Sequence, residues 1–253
     1  MNANENFPRP LTSLERDILL WLLPEGRGGY DSYRRNVLQW LVVAAGRRGG
    51  GNYVLAPPDA RVDLESPLPQ IFAVGMIHTD RQTISATVRE QLDDQIEFEI
   101  VTISGEGEPS LDGEQKRWSL SYWSPGEGCP ICGRAIREVS MTTTHHEPMN
   151  LALCAQDQRV WIHDRKSQVN HLIPPTNFYN ELMLHKNVRD PRRAFDASRL
   201  FTEISSFSDA DLIHAFRTYN QIRTKVSLEG NIVLPTPRRR SLFQRLAQFM
   251  SSQ

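Results

Sequence analysis

The stretch Cys129-Pro-Ile-Cys132-Gly133 constrains this chain more than any other. Two thiols three positions apart, with a glycine behind the second, let the backbone wrap so that both sulfurs face one ion. The third cysteine, Cys154, is followed at the same spacing by Asp157. A carboxylate oxygen is an accepted zinc ligand, so Asp157 can complete a tetrahedron; His163, His145 and His146 are the other candidates for the fourth position. An odd number of cysteines argues against a disulfide framework and leaves metal binding, catalysis or burial. A zinc held by this set would be structural, its binding free energy contributing to folding.

The Cys-Pro-Ile-Cys-Gly knuckle resembles a zinc ribbon, over about residues 127–164. The resemblance implies a hairpin between two knuckles, with strands at Ile136 to Met141 and Leu151 to Leu153 and a third at Val160 to Ile162. It also implies a structural zinc on Cys129, Cys132, Cys154 and Asp157. Asp157 stands where a ribbon normally has its fourth cysteine. The same region, His145-His146-Glu147-Pro148 followed by Asn150-Leu151 and Leu153-Cys154, also resembles the core of HNH nucleases and would imply a metal-dependent nuclease. It departs from that pattern in the short step from His146 to Asn150 and in Asp157 three places after Cys154. Loop histidines exposed to solvent are the plainer reading.

Other catalytic signatures are missing: there is no Gly-x-Ser-x-Gly, no dinucleotide fingerprint and no His-Glu-x-x-His. Glu97 and Glu99 share one face of an expected strand, where alternating acids on a solvated face are ordinary. The glycine run Gly49–Gly51 beside Arg47 and Arg48 lacks the strand-to-helix setting and lysine of a P-loop and reads as a turn.

With 253 residues, 39% of them hydrophobic, the chain can bury a substantial core. Thr12 and Glu15 form a capping box ahead of Leu14, Ile18, Trp21 and Leu22 at helical spacing. A second helix, capped by Asp31 or Ser32, is expected through Val37, Trp40, Leu41 and Ala44 until Gly46. The period then changes to two. Strands are expected at Ile71 to Ile77, at Ile96, Phe98 and Ile100, and at Trp118, Leu120 and Tyr122; residues 84–92 fit either strand or helix. After Pro174 and Pro175 helices return at Asn177 to His185, at Asp196 to Ile204, and from Ser208 through Ile222. The fold expected is α+β, a mostly antiparallel sheet with N-terminal helices, a zinc-ribbon-like hairpin insert and a helical C-terminal region. The divisions expected are an α+β domain 1–126, the ribbon-like module 127–164, a helical region 165–234, and a basic linker with a docking helix 235–253.

A formal charge of −1 conceals an asymmetry. Residues 1–128 carry 12 Lys and Arg against 19 Asp and Glu, residues 129–158 carry 2 against 3, and residues 159–253 carry 15 against 8. An acidic front and a basic back fit either a nucleic-acid face or two mutually attracting lobes. In the tail, Arg238, Arg239 and Arg240 precede Leu242, Phe243, Leu246 and Phe249, which line one side of a short amphipathic helix. That helix is expected to fold back on its own domain, to fill a groove on a protein partner, or to rest on an anionic membrane surface. The sequence has no apolar run long enough to span a bilayer and its N-terminus lacks a secretory pattern, so a cytoplasmic location is expected. The function expected is a zinc-binding adaptor or regulatory subunit acting through protein–protein interaction. A nucleic-acid-binding protein is the first alternative and an HNH-like nuclease the second.

Overall fold

The structure is a computed structural model that describes residues 6–62, 64, 70–90, 95–143, 146–186 and 198–229, with side chains as far as Asn220. The chain divides after Tyr219, and the account below concerns the first unit, Met1–Tyr219. Of the second unit, only the continuation of the last helix to Glu229 is described. Arg238, Arg239, Arg240, Leu242, Phe243, Leu246 and Phe249 lie outside the described residues.

The architecture is α+β, with helices at both ends of the chain and antiparallel sheets between them. Helix α1 (Ser13–Leu22) begins at the Thr12 capping box: Thr12 Oγ1 accepts from the Glu15 amide and the Glu15 carboxylate accepts from the Thr12 amide. Helix α2 (Gly28–Val37) starts earlier and stops sooner than the sequence implied. Asp31 does not cap it; its carboxylate accepts from the Gly26 amide. Leu41–Ala45, expected as helix, is strand β1. That short apolar run satisfies either period, and two neighbours decide it: Arg9 bridges Val42 on one side and β2 (Asn52–Ala56) pairs along the other.

Four more strands complete the first sheet: β3 (Ile71–His78), β4 (Thr83–Glu90), β5 (Ile96–Ser104) and β6 (Lys116–Ser119). The order is β1-β2-β5-β4-β3-β6. The ambiguous segment 84–92 is strand over the described part, because Ile84, Ala86 and Val88 turn inward beside Ile96, Phe98 and Ile100. The expected strand through Trp118, Leu120 and Tyr122 ends at Ser119 and gives way to a 3-10 turn, Leu120–Tyr122, whose start is held by Ser119 Oγ accepting from the Ser121 amide.

Helices α1 and α2 cover the inward face of this sheet, with Ile18, Leu19, Leu22, Tyr30 and Val37 buried on Phe72, Ile77, Ile84 and Phe98. The approach depends on Gly75. A Cβ there would lie 2.4 Å from Trp21 Cη2, 2.9 Å from Leu22 Cδ2 and 2.9 Å from the Trp118 carbonyl oxygen. On the opposite face Glu97 is not solvated as its alternation implied; it is fully buried and paired with Arg47, which the β1–β2 turn folds over it. Arg48 pairs with Glu99 at 3.1 Å. Both arginines beside the glycine run are therefore committed to carboxylates.

The second sheet has the order β10-β9-β8-β7, built from β7 (Arg137–Thr142), β8 (Pro148–Cys154), β9 (Arg159–Asp164) and β10 (Asn170–Ile173). Val139, Leu151, Leu153, Val160, Ile162 and Ile173 point to one face. There they bury against α3 (Pro175–His185), α4 (Ser198–Thr202) and the start of α5 (Asp209–Glu229) through Phe178, Leu182, Leu200, Leu212 and Phe216. Ser208 and Asp211 cap α5 reciprocally, as their spacing implied.

A third, smaller core joins the sheets. Val74 and Ile71 of β3, with Leu120 and Trp123, meet Ala152, Trp161 and Leu172 from the other face of the second sheet. A buried polar network runs beside it. Tyr30 Oη donates to the Phe72 carbonyl and accepts from the Asn170 amide, while Asn170 Nδ2 donates to the carbonyls of Leu120 and Trp123. Arg27 gathers the carbonyls of Ser121, Tyr122 and Trp123. The sheets are thus joined by a small apolar core and a satisfied set of buried hydrogen bonds.

Candidate metal centre

The cysteines sit at one end of this third core. The loop after Trp123 delivers the first knuckle, in which the Cys129 amide donates to the Arg134 carbonyl and the Gly133 amide donates back to the Cys129 carbonyl, both at 2.8 Å. Gly133 takes φ +70°, a left-handed conformation that closes the loop and that glycine adopts without a Cβ clash. The second knuckle is the turn from β8 to β9, with Cys154 the last residue of β8 and Asp157 in the turn. The two knuckles are alike. Backbone amides of Cys132 and Ile131 favour the charged form of Cys129 in one, and the Asp157 amide donates to Cys154 Sγ at 3.4 Å in the other. Across them Arg134 Nη1 donates to Gln156 Oε1 at 2.9 Å.

One donor atom from each of Cys129, Cys132, Cys154 and Asp157 lies within 4.8 Å of the other three. Cys132 Sγ and Cys154 Sγ are 3.8 Å apart. A tetrahedral ion with metal–sulfur bonds of about 2.3 Å requires a sulfur–sulfur edge of about 3.8 Å. The Asp157 carboxylate accepts from the Cys129 thiol at 2.9 Å and from the Cys154 thiol at 3.3 Å. The four side chains could therefore coordinate a metal ion.

The electrostatics agree with that use. Burial pushes the Cys129 and Cys154 thiols up, and the Asp157 carboxylate beside them adds to the rise. Burial also works against the charged form of Asp157, but hydrogen bonds from Cys129, Cys132 and Cys154, with Arg159 nearby, outweigh it and hold its carboxyl below the ordinary value. Four anionic donors could share so small a volume only with a cation, and a bound divalent ion would reverse the penalty by favouring deprotonated thiols. Cys129 and Cys154 are 2% and 1% exposed, whereas Cys132 is half-buried. Trp123 and Trp161, packed edge to face with ring centroids 5.3 Å apart, belong to the same core.

Among the described residues the histidines stay apart from this cluster. His163 is buried, but its Nδ1 meets Asn170 Oδ1 at 2.8 Å and it stacks edge-on against Trp123, which places it in the polar network. His146 is exposed in the β7–β8 turn, and His145 lies outside the described residues. Asn150, the residue offered by the nuclease resemblance, donates to Ser140 Oγ at 3.2 Å. The sequence reading overlooked Tyr30, Asn170 and the tryptophan pair. Tyr30 carried no pattern of its own, and Asn170 lies in a strand only four residues long.

No protein-family model, no curated protein and no solved structure matches this chain. What the fold and the site define is an α+β protein with a potential structural metal centre among its described residues. No helix among the described residues is long and apolar enough to cross a membrane.

Proposed function

We propose that this chain is a zinc-stapled adaptor or regulatory subunit, with a ribbon-like module that holds one structural zinc on Cys129, Cys132, Cys154 and Asp157. The convergence of those four donors carries the reading. Three sulfurs and one oxygen in a tetrahedral frame suit zinc among the common divalent ions. Four protein ligands leave no open position for an activated water, which separates a structural from a hydrolytic centre. The knuckles also lie at the core that joins the two sheets, so a bound ion would fix the seam between them. Such a seam serves a protein that presents surfaces to a partner.

Two measurements on the purified full chain test this. Metal analysis is expected to return one zinc per chain for wild type and none for Cys129→Ser. Affinity isolation with and without residues 238–253 is expected to retain a protein partner only with the full chain. A mobility shift on DNA or RNA that weakens steeply with added salt would instead assign the partner as nucleic acid.

A further inference from the structure

We propose that Cys132 and Cys154 form an oxidisable pair, so that the metal centre doubles as a peroxide-sensitive release site. The inference rests on the zinc reading and adds regulation to it.

The three sulfurs are not equivalent. Cys129 is 2% exposed and donates to the Asp157 carboxylate at 2.9 Å. Cys132 is the half-buried member, on the far limb of its knuckle next to Gly133, around whose Cβ position no atom lies within 4 Å. Solvent therefore reaches the cluster from the Cys132 side. The partner sulfur lies directly behind it, since Cys154 Sγ is 3.8 Å from Cys132 Sγ. An accessible thiolate beside a resolving thiolate is the arrangement that oxidant-sensing cysteines require.

The chemistry balances with hydrogen peroxide as oxidant. The Cys132 sulfur attacks one peroxide oxygen, the O–O bond breaks, and the departing hydroxide takes a proton to become water. Cys132 is then a sulfenic acid. The Cys154 thiolate attacks that sulfur, an S–S bond forms, and the sulfenic hydroxyl leaves with a second proton as water. Two thiolates have lost two electrons and the peroxide has gained them. Left with Cys129 and Asp157 alone, the site no longer holds its ion, and dithiothreitol with fresh zinc restores it.

The test uses the full chain, first assayed for zinc, so that absence of metal counts against the zinc reading and is seen before any oxidant is added. Peroxide is then added in the presence of a chromogenic zinc chelator. Expected are two free thiols lost per zinc released, a Cys132–Cys154 disulfide in the peptide map, and reversal by dithiothreitol. Cys132→Asp keeps a donor at that position but no sulfur, and its peroxide-driven release is expected to be at least about tenfold slower. Cys129→Asp, which retains the proposed pair, is expected to give the same Cys132–Cys154 disulfide in the peptide map after peroxide. A Cys129–Cys132 or Cys129–Cys154 disulfide, or zinc retained while peroxide is consumed, overturns the proposal.

Discussion

Replacing Asp157 with alanine separates a metal ligand from a carboxylate that merely accepts hydrogen bonds. Without metal, Asp157 accepts from two thiols, at 2.9 and 3.3 Å. Thiols are weak donors, and Asp157 is only partly buried, so the loss should be about 1 kcal/mol or less. With zinc, the substitution removes one of four first-contact donors. Changing groups that only support a ligand already weakens metal sites by about 10–100-fold, so loss of the ligand itself should cost at least about 100-fold, or about 2.7 kcal/mol. Because the unfolded chain has no assembled site, excess zinc passes that difference on to folding stability. Urea unfolding followed by tryptophan fluorescence, in excess zinc and again with chelator, should show a loss of about 3 kcal/mol in the first case and about 1 kcal/mol in the second. Asp157→Cys should recover the zinc-dependent part. An equal loss in both conditions would refute the assignment of Asp157 as a ligand.

Other perturbations probe the frame around the site. Asn170→Ala removes three buried hydrogen bonds; the two carbonyls keep other donors, but His163 Nδ1 loses its partner, so about 2–4 kcal/mol should be lost in urea unfolding. His163 itself makes stability depend on pH. Burial holds its folded pKa below the ordinary value, only partly offset by the Asn170 hydrogen bond. The unfolded chain therefore protonates first as pH falls below about 6.5. This contribution should be complete above that pH and decline below it towards the lowered folded value, and the slope should flatten in His163→Gln when both proteins are measured with chelator. Gly75→Ala forces a methyl against Trp21, Leu22 and a backbone carbonyl and should cost about 1–3 kcal/mol by thermal or urea unfolding, independent of zinc.

The candidate metal centre was unusually legible because its information is local. Cys129, Cys132, Cys154 and Asp157 announce themselves by spacing, and the neighbouring strands show as the alternation at Val139 and Met141 and as the apolar runs Leu151 to Leu153 and Val160 to Ile162. Which fourth donor closes the set was open from spacing alone; the structure brings in Asp157 because the turn after β8 repeats the first knuckle, while His163 points along the strand face to Asn170. Errors arose where distant pairing outweighed local pattern. Leu41–Ala45 could have extended α2, but Arg9 and β2 draw it into a strand. Glu97 looked like a solvated strand residue because nothing nearby in sequence reveals that Arg47, 50 positions earlier, covers it. The junction at Tyr30 and Asn170 was hidden for the same reason, since its partners are 140 residues apart.

In the proposed centre three sulfurs and one carboxylate oxygen hold one ion. Cobalt substitution tests this most directly, because thiolate-to-cobalt charge transfer and ligand-field bands report sulfur coordination and tetrahedral geometry in one spectrum. Titration of the metal-depleted full chain should saturate at one cobalt per chain with tetrahedral bands and three-thiolate intensity, lose about a third of that charge-transfer intensity in Cys132→Asp, and be displaced by zinc. A weak octahedral spectrum, or saturation unchanged in Cys129→Ser, would contradict the account.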